Sequence, residues 1–151
     1  MRQVFDEALK KALKSQDKRR VSTLRLISAA IKDRDIAVRG SGKDHVSDDE
    51  VLQILAKMIK QREESARIYE EGGRLDLAEQ EREESAVIRE FLPRQLSEEE
   101  MKSVCRGVVD ETGAQGLRDV GRCMSTLKER YPGKMDFAKA SSVVKGILTD
   151  G

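Results

Sequence analysis

Residues 91–100 read FLPRQLSEEE, and they divide the chain. Pro93 has no backbone N–H, and its ring pushes Leu92 out of the helical region, so a helix arriving from the N-terminal side stops here. Four residues on, Ser97 and Glu100 have the spacing of a capping box, in which each side chain satisfies a free N–H of a new first turn. A stop followed at once by a start predicts a domain junction. Residues 1–95 are expected to form an N-terminal helical domain and residues 96–151 a C-terminal one.

Working back from the junction, apolar residues recur at helical spacing almost everywhere. Phe5, Ala8, Leu9, Ala12 and Leu13 form one buried stripe. Asp17 is placed to cap a second helix, from about Lys18 to Arg39, with Val21, Leu24, Ile27, Ala30 and Ile31 inward and Leu26 beside them. Gly40-Ser41-Gly42 ends it. Ser47 and Glu50 predict another capping box, opening a third helix through Val51, Leu55, Met58 and Ile59 that closes at Gly72-Gly73. A fourth runs from about Leu75 to Phe91. Forward from the junction, three helices follow: about Glu98 to Glu111, about Leu117 to Arg130, and one capped by Asp136 that holds Phe137, Ala140, Val144 and Leu148. The expected fold is all-α, four helices and then three.

The composition agrees. The 151 residues include 38% charged and 38% hydrophobic types, only 3% aromatics and two prolines, a balance that excludes a β-sandwich or barrel. Mean hydropathy is −0.60, and no run approaches the roughly 18 apolar residues of a membrane span. The opening MRQVFDEALKKALKSQ mixes acids with its bases and has no long apolar stretch, unlike a secretory leader. The expected compartment is the cytosol, with no membrane partner. Net charge is only +1, yet residues 1–45 carry +6, residues 46–100 carry −8 and residues 101–151 carry +3.

Catalytic signals are sparse. The one histidine, His45, lies in a polar loop stretch, and no nucleotide-binding glycine loop or nucleophile elbow is present. Cys105 and Cys123 stand without further ligand-type neighbours and read as buried free thiols. Inward carboxylates for a di-metal bundle would need Glu-x-x-His elements, which are missing, so neither metal nor cofactor is expected. The many carboxylates of the third and fourth helices, such as Glu63 with Arg67 and Glu79 with Glu83, read as a solvated face. Bases dominate the end of the chain. Arg118, Arg122, Lys128, Arg130, Lys134 and Lys139 are the candidate contacts to RNA phosphates, chosen by charge. With few aromatic platforms, backbone recognition fits better than base reading.

Specific stretches carry a resemblance. Lys60-Gln61-Arg62, Ser65, Tyr69, Gly73-Arg74-Leu75-Asp76-Leu77-Ala78, Glu84 and residues 91–100 resemble the YqeY proteins, as does Arg25 within TLRLISAAIKDRDI. Asp119-Val120-Gly121-Arg122-Cys123-Met124 and Gly133-Lys134-Met135-Asp136 resemble the tail domain of GatB, a subunit of the aspartyl/glutamyl-tRNA amidotransferase. The resemblance implies an N-terminal helical domain followed by a three-helix, GatB-tail-like domain. It also implies tRNA, an amidotransferase or an aminoacyl-tRNA synthetase as partners. Three functions follow as expectations. The first is a non-catalytic module that binds tRNA backbone or accompanies an amidotransferase. The second is a protein-interaction adaptor without RNA binding. The third is a carbon–nitrogen ligase using glutamine as amido donor, by family inheritance only. The missing nucleophile–base pair sets the chain apart from enzymes that act alone.

Overall fold

The computed structural model describes residues 1–42 and 44–150; Gly151, the last residue of the expected C-terminal domain, lies outside them. The described residues form seven α-helices: α1 (Arg2–Lys14), α2 (Lys18–Arg39), α3 (Asp48–Glu71), α4 (Leu75–Arg89), α5 (Glu98–Thr112), α6 (Val120–Arg130) and α7 (Phe137–Asp150). A single 3₁₀ turn, Leu117–Asp119, leads into α6. Among the described residues there is no strand.

Two compact units divide between Leu92 and Pro93, three residues before the boundary drawn from the sequence. The reason is local. Leu96 N–H donates to the Lys134 carbonyl at 2.8 Å, and the Gln95 amide donates to the Gly133 carbonyl at 2.6 Å. Arg94 donates to both carboxylate oxygens of Glu100. All three residues after the proline therefore bond into the second unit.

In the first unit, α3 and α4 form a hairpin across Gly72-Gly73, with Gly73 in the left-handed region at φ +76° where a glycine carries no Cβ penalty. α2 packs on α4, α3 and α1. The core joins Phe5 and Ala12 of α1, Leu24, Ile27 and Ile31 of α2, Leu55 of α3 and Ile88 of α4. The Phe5 and Phe91 rings meet with centroids 5.0 Å apart, tilted by 53°, an arrangement that suits the ring quadrupoles. Leu13 and Leu26 are about half exposed, although the sequence pattern set them in or beside the buried stripe.

A polar clasp fixes α1 to the far end of α2. Arg2 donates to Asp35 twice, at 2.7 Å each, and Val46 N–H donates to the same carboxylate at 2.9 Å. These donors, Arg2 first, hold the Asp35 carboxyl down at about 2. The folded value lies below the unfolded one. The clasp therefore stabilises fully above about pH 4 and is lost as pH falls toward 2. Thermal midpoints of the wild type and Asp35→Asn should differ at pH 7 and converge between pH 4 and 2. A constant gap across that window would contradict the clasp.

The second unit is a three-helix bundle of α5, α6 and α7 with its own core, Met101, Cys105, Val108, Cys123, Leu127 and Val144 among others. Ser97 and Glu100 form a complete capping box: the Ser97 hydroxyl accepts from Glu100 N–H and the Glu100 carboxylate accepts from Ser97 N–H, both at 3.1 Å. Ser47 and Glu50 complete only half of theirs. Ser47 accepts from Glu50 N–H, but its own hydroxyl, not its N–H, faces the Glu50 carboxylate.

Candidate functional site

The six candidate cations all lie in the second unit, at its surface, but they do not form one face. The bonds from Gln95 and Leu96 to Gly133 and Lys134 place the start of α5 beside the turn that precedes α7, whereas Arg130 at the end of α6 reaches Glu111 near the end of α5. Lys134 lies in that turn, Lys139 follows in the first turn of α7, and Lys128 reaches Phe137 at the start of the same helix. Arg118 lies in the 3₁₀ turn before α6 and Arg122 in the first turn of α6, the latter about 9 Å along the helix from Lys128.

Pairing divides them further. Arg130 donates to both carboxylate oxygens of Glu111 on α5, at 2.5 and 2.6 Å, and this holds the Glu111 carboxyl below its usual range. Arg122 sits 3.5 Å from Asp119. That carboxylate is held down first by Gln115 N–H at 2.9 Å and only then by arginine, so Arg122 braces the loop before α6. Lys128 places its ammonium 6.0 Å from the centroid of Phe137, at the limit of a cation–π contact. Lys134 and Lys139 make no ion pair among the described residues, and neither does Arg118.

What remains free around one end of the bundle is Lys128, Lys134 and Lys139. That end also carries acids. Glu100 is held at about 2, chiefly by Arg94, and Glu98 lies 4.0 Å from Lys102. Such an end can offer three cations to a polyanion, with Glu100 already engaged by Arg94 while Glu99 and Glu129 make no ion pair among the described residues.

The charges of α3 and α4 are less uniform than a solvated face. Glu63 pairs with Arg89 and Glu70 with Arg82, both across the hairpin, while Arg67 reaches Glu64 at 2.5 Å rather than Glu63. Deeper in, Arg62 Nε lies 3.3 Å from Glu84 Oε2, with side chains only 14% and 10% exposed. Arg62 also donates to the Met58 carbonyl at 3.2 Å. Burial first, and Glu84 second, push the neighbouring Glu81 carboxyl up. The buried Ser85 hydroxyl finds no partner among the described residues. The sequence pattern missed this cluster, because a charged residue in a charge-rich helix carries no local mark of burial. Its one advance signal was that Arg62 and Glu84 both fell in the stretches that carried the resemblance.

Both cysteines are buried free thiols. Burial pushes the Cys105 thiol up, and its sulfur lies 3.9 Å from the Ala140 carbonyl. Among the described residues, no three His, Cys, Asp or Glu side chains group as metal ligands. No helix of the described chain is long and apolar enough to cross a membrane.

Comparison with known proteins covers nearly the whole chain. The sequence model of the Yqey-like protein family matches residues 2–148. A relative from Clavispora lusitaniae, named altered inheritance of mitochondria protein 41, mitochondrial, is 33% identical over 143 residues, 93% of this chain and 80% of its own length. An uncharacterized protein of Schizosaccharomyces pombe is 33% identical over 94 residues, 62% of this chain and 73% of its own.

Proposed function

This chain belongs to the Yqey-like protein family, and on that premise we propose that it is a non-catalytic module that docks on the sugar–phosphate backbone of tRNA through its C-terminal unit. The observation that carries the reading is the group Lys128, Lys134 and Lys139 around one end of the bundle, with no ion pair among the described residues. The resemblance of this unit to a tail domain that helps to hold tRNA supports it. So does the scarcity of aromatic platforms, because backbone contacts need charge and little else. The setting we propose is the cytosol, and cell fractionation separates it from the mitochondrial address in the relative's name.

Charge pairing sets the size of the effect. Three free cations that neutralise three phosphates give a slope of log affinity on log salt of about −2 to −3. Between 50 and 200 mM salt, affinity for total tRNA should then fall about thirtyfold. Filter binding across that series tests it. Replacing Lys128, Lys134 and Lys139 together by Glu should abolish retention, while Arg122→Gln should change it little. No retention by the wild type at 50 mM would end the proposal.

A further inference from the structure

α2 carries a second array that the proposed function does not use. Lys18, Arg25, Lys32 and Arg39 recur at intervals of seven residues along it. Seven residues advance about 10.5 Å and drift only about 20° around the helix, so the four cations form a line of about 31 Å. All four are exposed, and none has an ion pair among the described residues. Their neighbours behave differently: Arg19 lies 3.2 Å from Glu83, and Arg20 pairs with Glu90.

Beside this line runs a second one. Ser22, Leu26, Ala29, Asp33 and Ile36 follow the alternating four- and three-residue steps of a coiled-coil seam, and Arg25 and Lys32 stand just before Leu26 and Asp33. Leu26 is 43% and Ile36 54% exposed, although α2 already buries Leu24, Ile27 and Ile31 on its other side. A helix that is apolar on two sides has one side too many for its own core.

We propose that this outer side of α2 is a docking surface for an acidic amphipathic helix of another protein. Charge complementarity and the apolar line together select that occupant. A phosphate backbone would satisfy the cations but offers nothing to Leu26 and Ile36. A partner helix satisfies both, since its acids repeat at the same heptad spacing. Asp33, which falls within the seam, requires a base opposite it and so fixes the register. A second copy of this chain is a poor match. Its acids spaced by seven along a helix, Glu63 with Glu70, Glu64 with Glu71 and Glu83 with Glu90, are already paired with arginines of the same chain. The inference is independent of RNA binding by the other unit.

The test uses the full chain and a labelled synthetic peptide of four heptads, with Leu at the seam positions except for one Lys to face Asp33, and Glu at both flanks, followed by fluorescence anisotropy. Saturable binding is expected, weakened about tenfold or more by R25E/K32E and by L26S/I36S. Both doubles should keep the wild-type thermal midpoint, because the four residues lie outside the core. The same peptide with Lys in place of Glu should not bind. Equal binding by wild type and R25E/K32E would overturn the proposal. So would a fall in total-tRNA binding on R25E/K32E without a change in peptide binding, which would assign the line to phosphates. Concentration-dependent dimerisation abolished by L26S/I36S would assign it to a second copy and overturn the proposal equally.

Discussion

Glu84→Ala is expected to destabilise the N-terminal unit by about 3–5 kcal/mol, the cost of leaving one charge of a buried pair without its partner. Arg62 and Glu84 are both largely shielded from water, and Arg62 would be stranded with only the Met58 carbonyl. Water cannot easily reach it between α3 and α4. The pair itself is not expected to be worth so much. Arg62 Nε faces Glu84 without a directed hydrogen bond, so its attraction barely offsets the cost of drying two ions. The double replacement Arg62→Met with Glu84→Leu should therefore return stability to within about 1 kcal/mol of the wild type, or exceed it by about 1–4 kcal/mol. Urea unfolding of Arg62→Met, Glu84→Leu and the double replacement completes a double-mutant cycle. A Glu84→Ala variant within about 1 kcal/mol of the wild type would mean that the pair is hydrated.

Leu127→Ala in the C-terminal unit is the second large effect. Leu127 is fully buried at the middle of the bundle. Removing its isobutyl group costs the lost transfer energy plus a cavity, about 2–5 kcal/mol. The unit spans only Pro93 to Gly151, and a domain of roughly 60 residues is marginal to begin with. The loss thus approaches the whole stability of the unit, which should open at physiological temperature while the first unit keeps its own transition. The two buried cysteines both lie in this unit, so thiol labelling under native conditions reads its opening directly. Labelling as slow in Leu127→Ala as in the wild type would show that the bundle collapses round the cavity. Retention of tRNA should fall with the same opening.

Most of the fold is legible in the residues, because its determinants are local. Asp17 accepts from Arg20 N–H at 3.1 Å, and Ser97 with Glu100 closes the box its spacing promised. Pro93 marks the division to within three residues. Leu13 and Leu26 depart because a helical stripe reports an angle on the helix, not whether a neighbour arrives there. The surface chemistry is less legible for a related reason. Arg130 is neutralised by Glu111, 19 residues away, and Arg20 by Glu90, 70 residues away. Counting charges along the chain marks its end as rich in bases, but pairing withdraws Arg130 and Arg122 from that total. The four cations of α2 escaped notice as a set because the eye follows runs, such as Lys18-Arg19-Arg20, while the geometry of a helix rewards intervals of seven.

The two apolar cores share no residue: one ends its membership at Leu92, the other begins at Leu96. A gene could therefore be cut at codon 93 and either half spliced to a foreign reading frame without exposing the interior of either. The three-helix half is in that sense a portable cassette, suited to being appended wherever a larger protein needs it.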